Sequence, residues 1–322
     1  MIWNELSGML TDPLMQRALI AALLVGLSAP VIGTYLVQRK LSLLGDGIGH
    51  VALTGVALGW LVGSMMGLTP NDALAVPGAV VAAVIGSLAI ELVRERGKTS
   101  GDVALALLFY GGIAGGVLLI SQAGGTSASL MGYLFGSIST VTEGDLWLTL
   151  VLAGLVLLVG VGLRTALFSV SHDEEFARAS GLPVRALNIT IAVIAALTVT
   201  VSMRVVGLLL VSALMIVPVA VAQLMTGSFR HTMAVAMGVG VTVCVTGLSI
   251  TYWADVTPGA TIVVLAIAIY AVVAVVKAML VGRSIRRRGR PDPHPEVGDD
   301  VQLASGLRDA TAAVRSGPEG AS

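Results

Sequence analysis

Nine mostly apolar runs of span length follow one another along this chain, near 18–38, 48–67, 73–93, 102–121, 145–163, 186–203, 205–225, 232–252 and 259–281. A helix of about 20 apolar residues crosses a hydrocarbon layer about 30 Å thick, with its backbone groups paired internally. The runs are continuous and lack two-residue alternation, which excludes an outer-membrane barrel. Only 12% of the residues are charged, and they collect in short loops. Glycine is abundant, at 39 residues, while aromatic residues make up 4%. Small residues let helices approach closely in lipid, where van der Waals contact replaces the drive that water supplies. The fold class expected is an all-α polytopic membrane protein of about eight to nine transmembrane helices.

Basic residues sort the loops. Arg39 and Lys40, then Arg94, Arg96 and Lys98, then Arg164, Arg178 and Arg185, then Arg230 mark alternate connections. The tail opens with Arg283, Arg286, Arg287 and Arg288. The positive-inside rule makes these loops and the C-terminus cytoplasmic. The connections carrying Asp72 and Asp255 hold no Lys or Arg and face outward, so nine spans put the N-terminus outside. Arg204, at a tight turn on the outer side, runs against this rule and is read as snorkelling.

Three domains follow: an interfacial segment at 1–17, a transmembrane domain at 18–283 and a disordered cytoplasmic tail at 284–322, rich in Arg, Asp, Pro, Gly and Ser. The first residues lack the basic region of a secretory signal and are read as mature sequence. The stretch 122–144, with Gly124, Gly125, Gly132 and Gly136, is too broken for a span and is read as an outer loop or a protein-shielded re-entrant segment.

Asp46 and His50 carry the chemistry. They open the second span in Gly45-Asp46-Gly47-Ile48-Gly49-His50, and a spacing of four puts both on one helical face. Ionisable groups in the membrane are costly without a partner or a task. Imidazole with carboxylate suits zinc, manganese or iron better than calcium or magnesium. Two such pairs at the axis of a two-fold dimer supply four ligands and two negative charges. The alternative reading is an N-cap by Asp46 with a structural hydrogen bond from His50.

Pro218 is expected to bend or break the span from Val205, leaving a short helix that contains Ala222 and ends at Gly227, followed by Arg230 and His231. Such a surface suits protein docking; a kinked span with an ordinary loop is the other reading. The polar connector 171–185 reads as a short helix with Ser171 and Glu174 in a capping box and Gly181 as C-cap, either a solvated connector or a partner contact. Glu91 beside Arg94 reads as a surface pair. His172 and His231 read as solvated, Asp292-Pro293-His294 as a weak metal site at best, and Met215 as a packing residue.

No phosphate-binding G-x-x-x-x-G-K-[ST] loop is present, so ATP hydrolysis is not expected of this chain. Neither H-E-x-x-H nor G-x-S-x-G appears, against an intramembrane hydrolase. A formal net charge of zero gives no sign of a nucleic-acid partner, and the lone Cys244 excludes an internal disulfide.

Taken together, residues 45–50, Met131-Gly132-Tyr133-Leu134-Phe135-Gly136-Ser137, the segment from Asp173 to Gly181, and Val206-Gly207 through Pro218 resemble the zinc/manganese-uptake ABC permeases over nearly all of 14–282. The resemblance implies the permease architecture of vitamin and siderophore importers (type II). It further implies a second copy of the same permease, two cytoplasmic ATP-binding subunits and an extracytoplasmic metal-binding protein. It makes Asp46 and His50 the ligands of the transported ion. It makes 218–231, with Pro218, Ala222, Gly227, Arg230 and His231, the ATPase-coupling region.

The function expected is a non-enzymatic permease of the plasma membrane that imports a divalent metal by alternating access through the dimer interface. Zinc is preferred as cargo, with manganese or iron as alternatives, and no cofactor is permanently bound. A proton-coupled secondary metal transporter is the competing reading; that class needs more intramembrane acids and often inverted repeats.

Overall fold

The structure, a computed structural model, describes residues 8–69, 73–96, 101–123, 127–136, 142–203, 206–254 and 256–288. Expectations for Asp72, Lys98, Gly124, Gly125, Ser137, Arg204, Asp255, residues 1–7 and the segment 289–322 lie outside these residues. The chain divides into two units, Met1–Ala274 and Val275–Ser322, the second of which contains the end of the last helix.

Each of the nine apolar runs is a helix. In chain order they are α1 (Pro13–Gln38), α2 (Leu44–Met65), α3 (Ala75–Arg96), α4 (Gly101–Gln122), then α6 (Glu143–Gly162), α9 (Val184–Met203), α10 (Leu208–Met225), α11 (Phe229–Trp253) and α12 (Pro258–Arg288). Three shorter helices intervene: α5 (Ser127–Phe135), α7 (Arg164–His172) and α8 (Glu174–Ala179). Seven of the long helices have the length and composition to cross a membrane, and α9 and α10 carry shorter apolar stretches, Val184–Thr200 and Leu210–Met225.

α1 is the most buried of the seven span-length helices and packs against α11, α6, α10 and α9. α2 packs between α3 and α4, and α10 touches α1, α2 and α11. Close helix crossings depend on glycine: a Cβ on Gly33 of α1 would overlap the Met215 backbone of α10. This crossing seats α10 beside the start of α2.

The boundaries differ from the sequence reading in identifiable places. Asp12 accepts from Leu14 N–H as N-cap and Pro13 opens α1, so residues 13–17 belong to the first long helix. At the other end, α12 continues through Arg288, five residues into the segment read as tail. The broken stretch 122–144 contains α5, which packs against α10 and buries Tyr133 close to Trp60.

Pro218 does not break its helix. α10 runs through it to Met225, and Pro218 itself is buried. A proline costs a helix one hydrogen bond, but apolar surroundings offer the backbone no better partner, and neighbouring helices hold the segment. The short helix expected after Pro218 is instead the last turns of α10, followed by a tight turn at Thr226–Ser228.

In the connector 171–185, Asp173 rather than Ser171 is the N-cap, accepting from Phe176 N–H at 2.9 Å. Ser171 is buried at the end of α7. Gly181 does close α8: with φ of +79° it lets Leu182 N–H reach the Ala177 carbonyl while its own N–H reaches that of Arg178.

Candidate functional site

The approach to Asp46 is set by the end of α1. Lys40 adopts a left-handed φ of 58°, and Leu41 N–H returns to the Leu36 carbonyl at 2.8 Å, which reverses the chain. α2 begins four residues later at Leu44, and its N-cap position, Leu43, makes no side-chain capping bond. Asp46 is therefore the third residue of α2, inside the first turn rather than capping it. There its carboxylate faces the positive end of the helix dipole.

One turn on, His50 is buried, with 5% of its side chain exposed. Its Nε2 lies 3.8 Å from Asp46 Oδ1, too far for a hydrogen bond. Its Nδ1 has no hydrogen-bond partner among the described residues. Phe109 packs edge-to-face with the imidazole, with ring centroids 4.4 Å apart at 77°. Gly112 lets α4 come close enough for this, since a Cβ there would sit 2.5 Å from the His50 carbonyl carbon. A buried polar nitrogen without a partner costs roughly 1–3 kcal/mol, a cost that in native structures calls for an explanation such as a functional role or an ion.

Asp46 is more open, with 28% of its side chain exposed. It lines a cavity of about 340 Å³ with Leu43, Gly47, Leu105, Phe109 and Tyr110. The geometry thus joins a reachable carboxylate to a sequestered imidazole at a separation that leaves room for an ion between them. From α10, Ser212 Oγ donates to Asp46 Oδ1 at 3.4 Å. The sequence reading missed Ser212; a lone hydroxyl in the apolar run between Gly207 and Pro218 was the available signal. Met215, one turn further, presents its thioether to Gly45, where a Cβ would lie 3.3 Å from Sδ. Among the described residues no group of three His, Cys, Asp or Glu forms.

The second set of expected residues does not form one surface patch. Pro218 and Ala222 are buried, and Ala222 packs with Val219 and Ala236. Gly227, Arg230 and His231 are exposed around the turn into α11. Ser228 caps that helix, and its Oγ lies 2.7 Å from His231 Nδ1.

Glu91 is not a surface residue either. It is 5% exposed, pairs with Arg94 at 3.0 Å, and faces Arg39 at 3.7 Å. Arg39 is itself buried and pairs with Glu174 at 2.9 Å, which also accepts from Asn188 Nδ2 at 3.1 Å. Burial pushes the Arg39 guanidinium down from its ordinary pKa, and the two carboxylates oppose that. This network gathers the ends of α1 and α3, the start of α8 and α9 at one end of the bundle. Phe168 of α7 against Phe229 of α11, with centroids 4.5 Å apart, brings the turn at 226–228 to the same end. His172 pairs there with Gln38 at 2.8 Å.

Among the described residues, seven apolar helices of span length define a multi-pass membrane protein. The chain belongs to the ABC 3 transport family, whose profile matches residues 11–277. It is 33% identical over 257 residues to the manganese transport system membrane protein MntC of Halalkalibacterium halodurans, covering 80% of this chain and 85% of that one. It is 32% identical over 276 residues to the chelated iron transport system membrane protein YfeD of Yersinia pestis, covering 86% and 89%. Among solved structures, PsaBC from Streptococcus pneumoniae in complex with Fab aligns with a TM-score of 0.74 at 30% identity, covering 85% of this chain and 95% of that chain.

Proposed function

We propose that this chain is the membrane-spanning subunit of an ATP-driven importer of a divalent first-row metal ion, with Asp46 and His50 as the ion's ligands. The observation that carries this reading is the buried, incompletely satisfied His50 beside an accessible Asp46. Manganese is the preferred cargo. One oxygen and one nitrogen ligand per protomer suit manganese and iron as well as zinc, and similarity to MntC and YfeD favours manganese or iron.

The Asp46 cavity opens beside the exposed Leu107 and Tyr110 of α4. A second copy of the permease covers this face and brings a second Asp46–His50 pair to the ion path. Exposed Gly227, Arg230 and His231 meet a cytoplasmic ATP-binding subunit, one per protomer. The end of the bundle carrying Arg39, Arg94, Arg178, Arg185 and Arg230 is cytoplasmic by the positive-inside rule, as is the C-terminus. An extracytoplasmic metal-binding protein delivers the ion to the opposite face. Nucleotide-driven movement of the two protomers opens the path to each side in turn. Family membership disfavours a proton-coupled secondary transporter.

The test is metal accumulation in cells expressing the chain's whole operon, with manganese, zinc and iron measured in parallel. Asp46→Ala and His50→Ala at equal membrane abundance abolish uptake of one metal, expected to be manganese. Normal uptake in both variants removes the ligand assignment.

A further inference from the structure

Charged residues of both signs line a cleft of about 810 Å³ where the end of α3, the helix α8 and the start of α9 meet: Arg94, Arg178 and Arg185 with Glu91, Glu95 and Glu174. Most of them are already paired. Arg94 binds Glu91 at 3.0 Å, Arg185 binds Glu95 at 3.3 Å, and Glu174 binds Arg39 at 2.9 Å. Arg178 is exposed and makes no ion pair among the described residues. Two further groups in the wall lack partners. Asn188 is buried, its Nδ2 donates to Glu174 at 3.1 Å, and its Oδ1 accepts nothing among the described residues. The Glu174 carboxylate fixes that orientation, since a flipped amide would set two acceptors together. Pro183 precedes α9 without a capping side chain, and the N–H groups of Arg185 and Ala186 find no acceptor among the described residues. The open N-terminus of a 20-residue helix beside an unpaired guanidinium suits a phosphate group. The orphaned Asn188 oxygen calls for a donor in the same ligand. Balanced charge in the walls disfavours a polyanion and matches a zwitterion.

An apolar track leads away from the cleft. Val81, Ile85, Leu88 and Leu92 of α3 are exposed at spacings of four, three and four, which makes one stripe along the helix. Glu95 continues the stripe into the cleft. At the other end, Val81 and Ile85 line an apolar groove of about 370 Å³ between α2 and α3, with Gly55, Gly59 and Gly78 in its walls. The two helices cross on these glycines: a Cβ on Gly78 would overlap the Gly55 carbonyl. From Ile85 to Glu95 the helix rises about 15 Å, at about 1.5 Å per residue, which is half of a hydrocarbon layer roughly 30 Å thick. Head-sized polar cleft and tail-sized apolar track are thus joined at the depth of one leaflet.

We propose that the α3–α8–α9 cleft and the α3 stripe hold one glycerophospholipid per protomer, phosphatidylethanolamine of the inner leaflet. Its phosphate meets Arg178 and the start of α9. Its ammonium donates to Asn188 Oδ1 and to the Glu174 carboxylate, and one acyl chain follows α3 to the glycine-lined groove. A lipid fits better than a water-soluble zwitterion because the apolar stripe begins where the polar walls end. The choice of leaflet uses the cytoplasmic placement of this end of the bundle; the binding itself does not depend on it. The bound headgroup braces α3, α8 and α9 around Arg39, at the turn that leads into Asp46.

The test takes the full-length permease, purified with the ATP-binding subunit of its operon and stripped of lipid in detergent. Phosphatidylethanolamine and phosphatidylglycerol are returned at equal concentration, and the adducts are counted by native mass spectrometry. Wild type is expected to retain one phosphatidylethanolamine per protomer and to unfold at a higher temperature with it. Arg178→Glu is expected to lower the retained fraction by about tenfold, as the loss of one charge-assisted contact does. Arg164→Glu, at an exposed position on α7 outside the cleft, is expected to retain lipid as wild type does. Glycerophosphoethanolamine, which is the headgroup without acyl chains, and inorganic phosphate are expected to leave the unfolding temperature unchanged at the same concentration. Equal retention in wild type and Arg178→Glu, or equal loss in Arg178→Glu and Arg164→Glu, overturns the site. Equal protection by inorganic phosphate overturns the lipid in favour of a free anion, and stronger retention of phosphatidylglycerol overturns the zwitterion.

Discussion

Ser212 and Asp46, 166 residues apart in sequence, meet where α10 crosses the first turn of α2, with Ser212 Oγ donating to Asp46 Oδ1 at 3.4 Å. The bond is long, so its contribution falls below the usual range for a hydrogen bond to a charged group, to about 1 kcal/mol. It orients one carboxylate oxygen and leaves the other free. Ser212→Ala is expected to raise the KM for metal uptake by roughly fivefold with the maximal rate largely kept, since about 1.4 kcal/mol is a factor of ten. Ser212→Thr keeps the hydroxyl and restores most of the affinity. Initial-rate uptake of manganese in whole cells measures both, and an unchanged KM in Ser212→Ala removes Ser212 from the site.

Gly111 and Gly112 are neighbours on α4 with opposite demands. A Cβ on Gly112 would press on the His50 backbone at 2.5 Å, while one on Gly111 would meet nothing within 4 Å. Gly112→Ala is expected to push α4 from α2, costing about 1–3 kcal/mol as overpacking does, and to disturb the Phe109 contact with His50. Gly111→Ala is expected to be neutral or slightly stabilising, because alanine is the better helix former. Thermal unfolding of the two variants in detergent checks the contrast.

The sequence was legible where lipid leaves the chain little choice. Nine apolar runs became nine helices because a backbone in hydrocarbon must satisfy its own hydrogen bonds. Asp46 and His50 were legible for a related reason: ionisable side chains stand out in apolar runs, and a spacing of four fixes their common face. Ser212 was hidden because a serine in a membrane helix is unremarkable until the partner helix is known. Pro218 left a break and a kinked span both open, and the continuous α10 excludes the break because its local cost is outweighed by packing that sequence does not display. Glu91 appeared solvated because Arg94 was its visible neighbour, whereas Arg39 approaches it from 52 positions earlier in the chain. Ser171 and Asp173 are both acceptable caps, and the extent of α7 decides between them.

Cys244 is the only cysteine and is fully buried in the middle of α11, packed in the main core. A thiol reagent reaches it only when α11 separates from its neighbours. In the folded permease, maleimide labelling is expected to be slow and to rise sharply at the unfolding temperature. The thiol thereby serves as an unfolding reporter for the other variants. Rapid labelling at low temperature would show that α11 opens locally, well before the bundle unfolds.

Arg39 stands between Glu91 and Glu174, with only 4% of its side chain exposed. Arg39→Ala leaves Glu91, also buried, with Arg94 as its remaining cation, and frees the start of α8. Removing one partner from a buried ion pair typically costs about 3–5 kcal/mol, because the charge left behind stays desolvated. Glu174 is 40% exposed, so water compensates for much of what Glu174→Ala removes, and an exposed pair is worth at most about 1 kcal/mol. The expected order of thermal stability in detergent is wild type, then Glu174→Ala, then Arg39→Ala by a wide margin. Arg39→Lys is expected to fall between the last two, since the one guanidinium nitrogen, Nη2, that faces both carboxylates is replaced by an ammonium on a shorter stem. Equal losses in Glu174→Ala and Arg39→Ala would place the burden on the tether to α8 rather than on the buried Glu91.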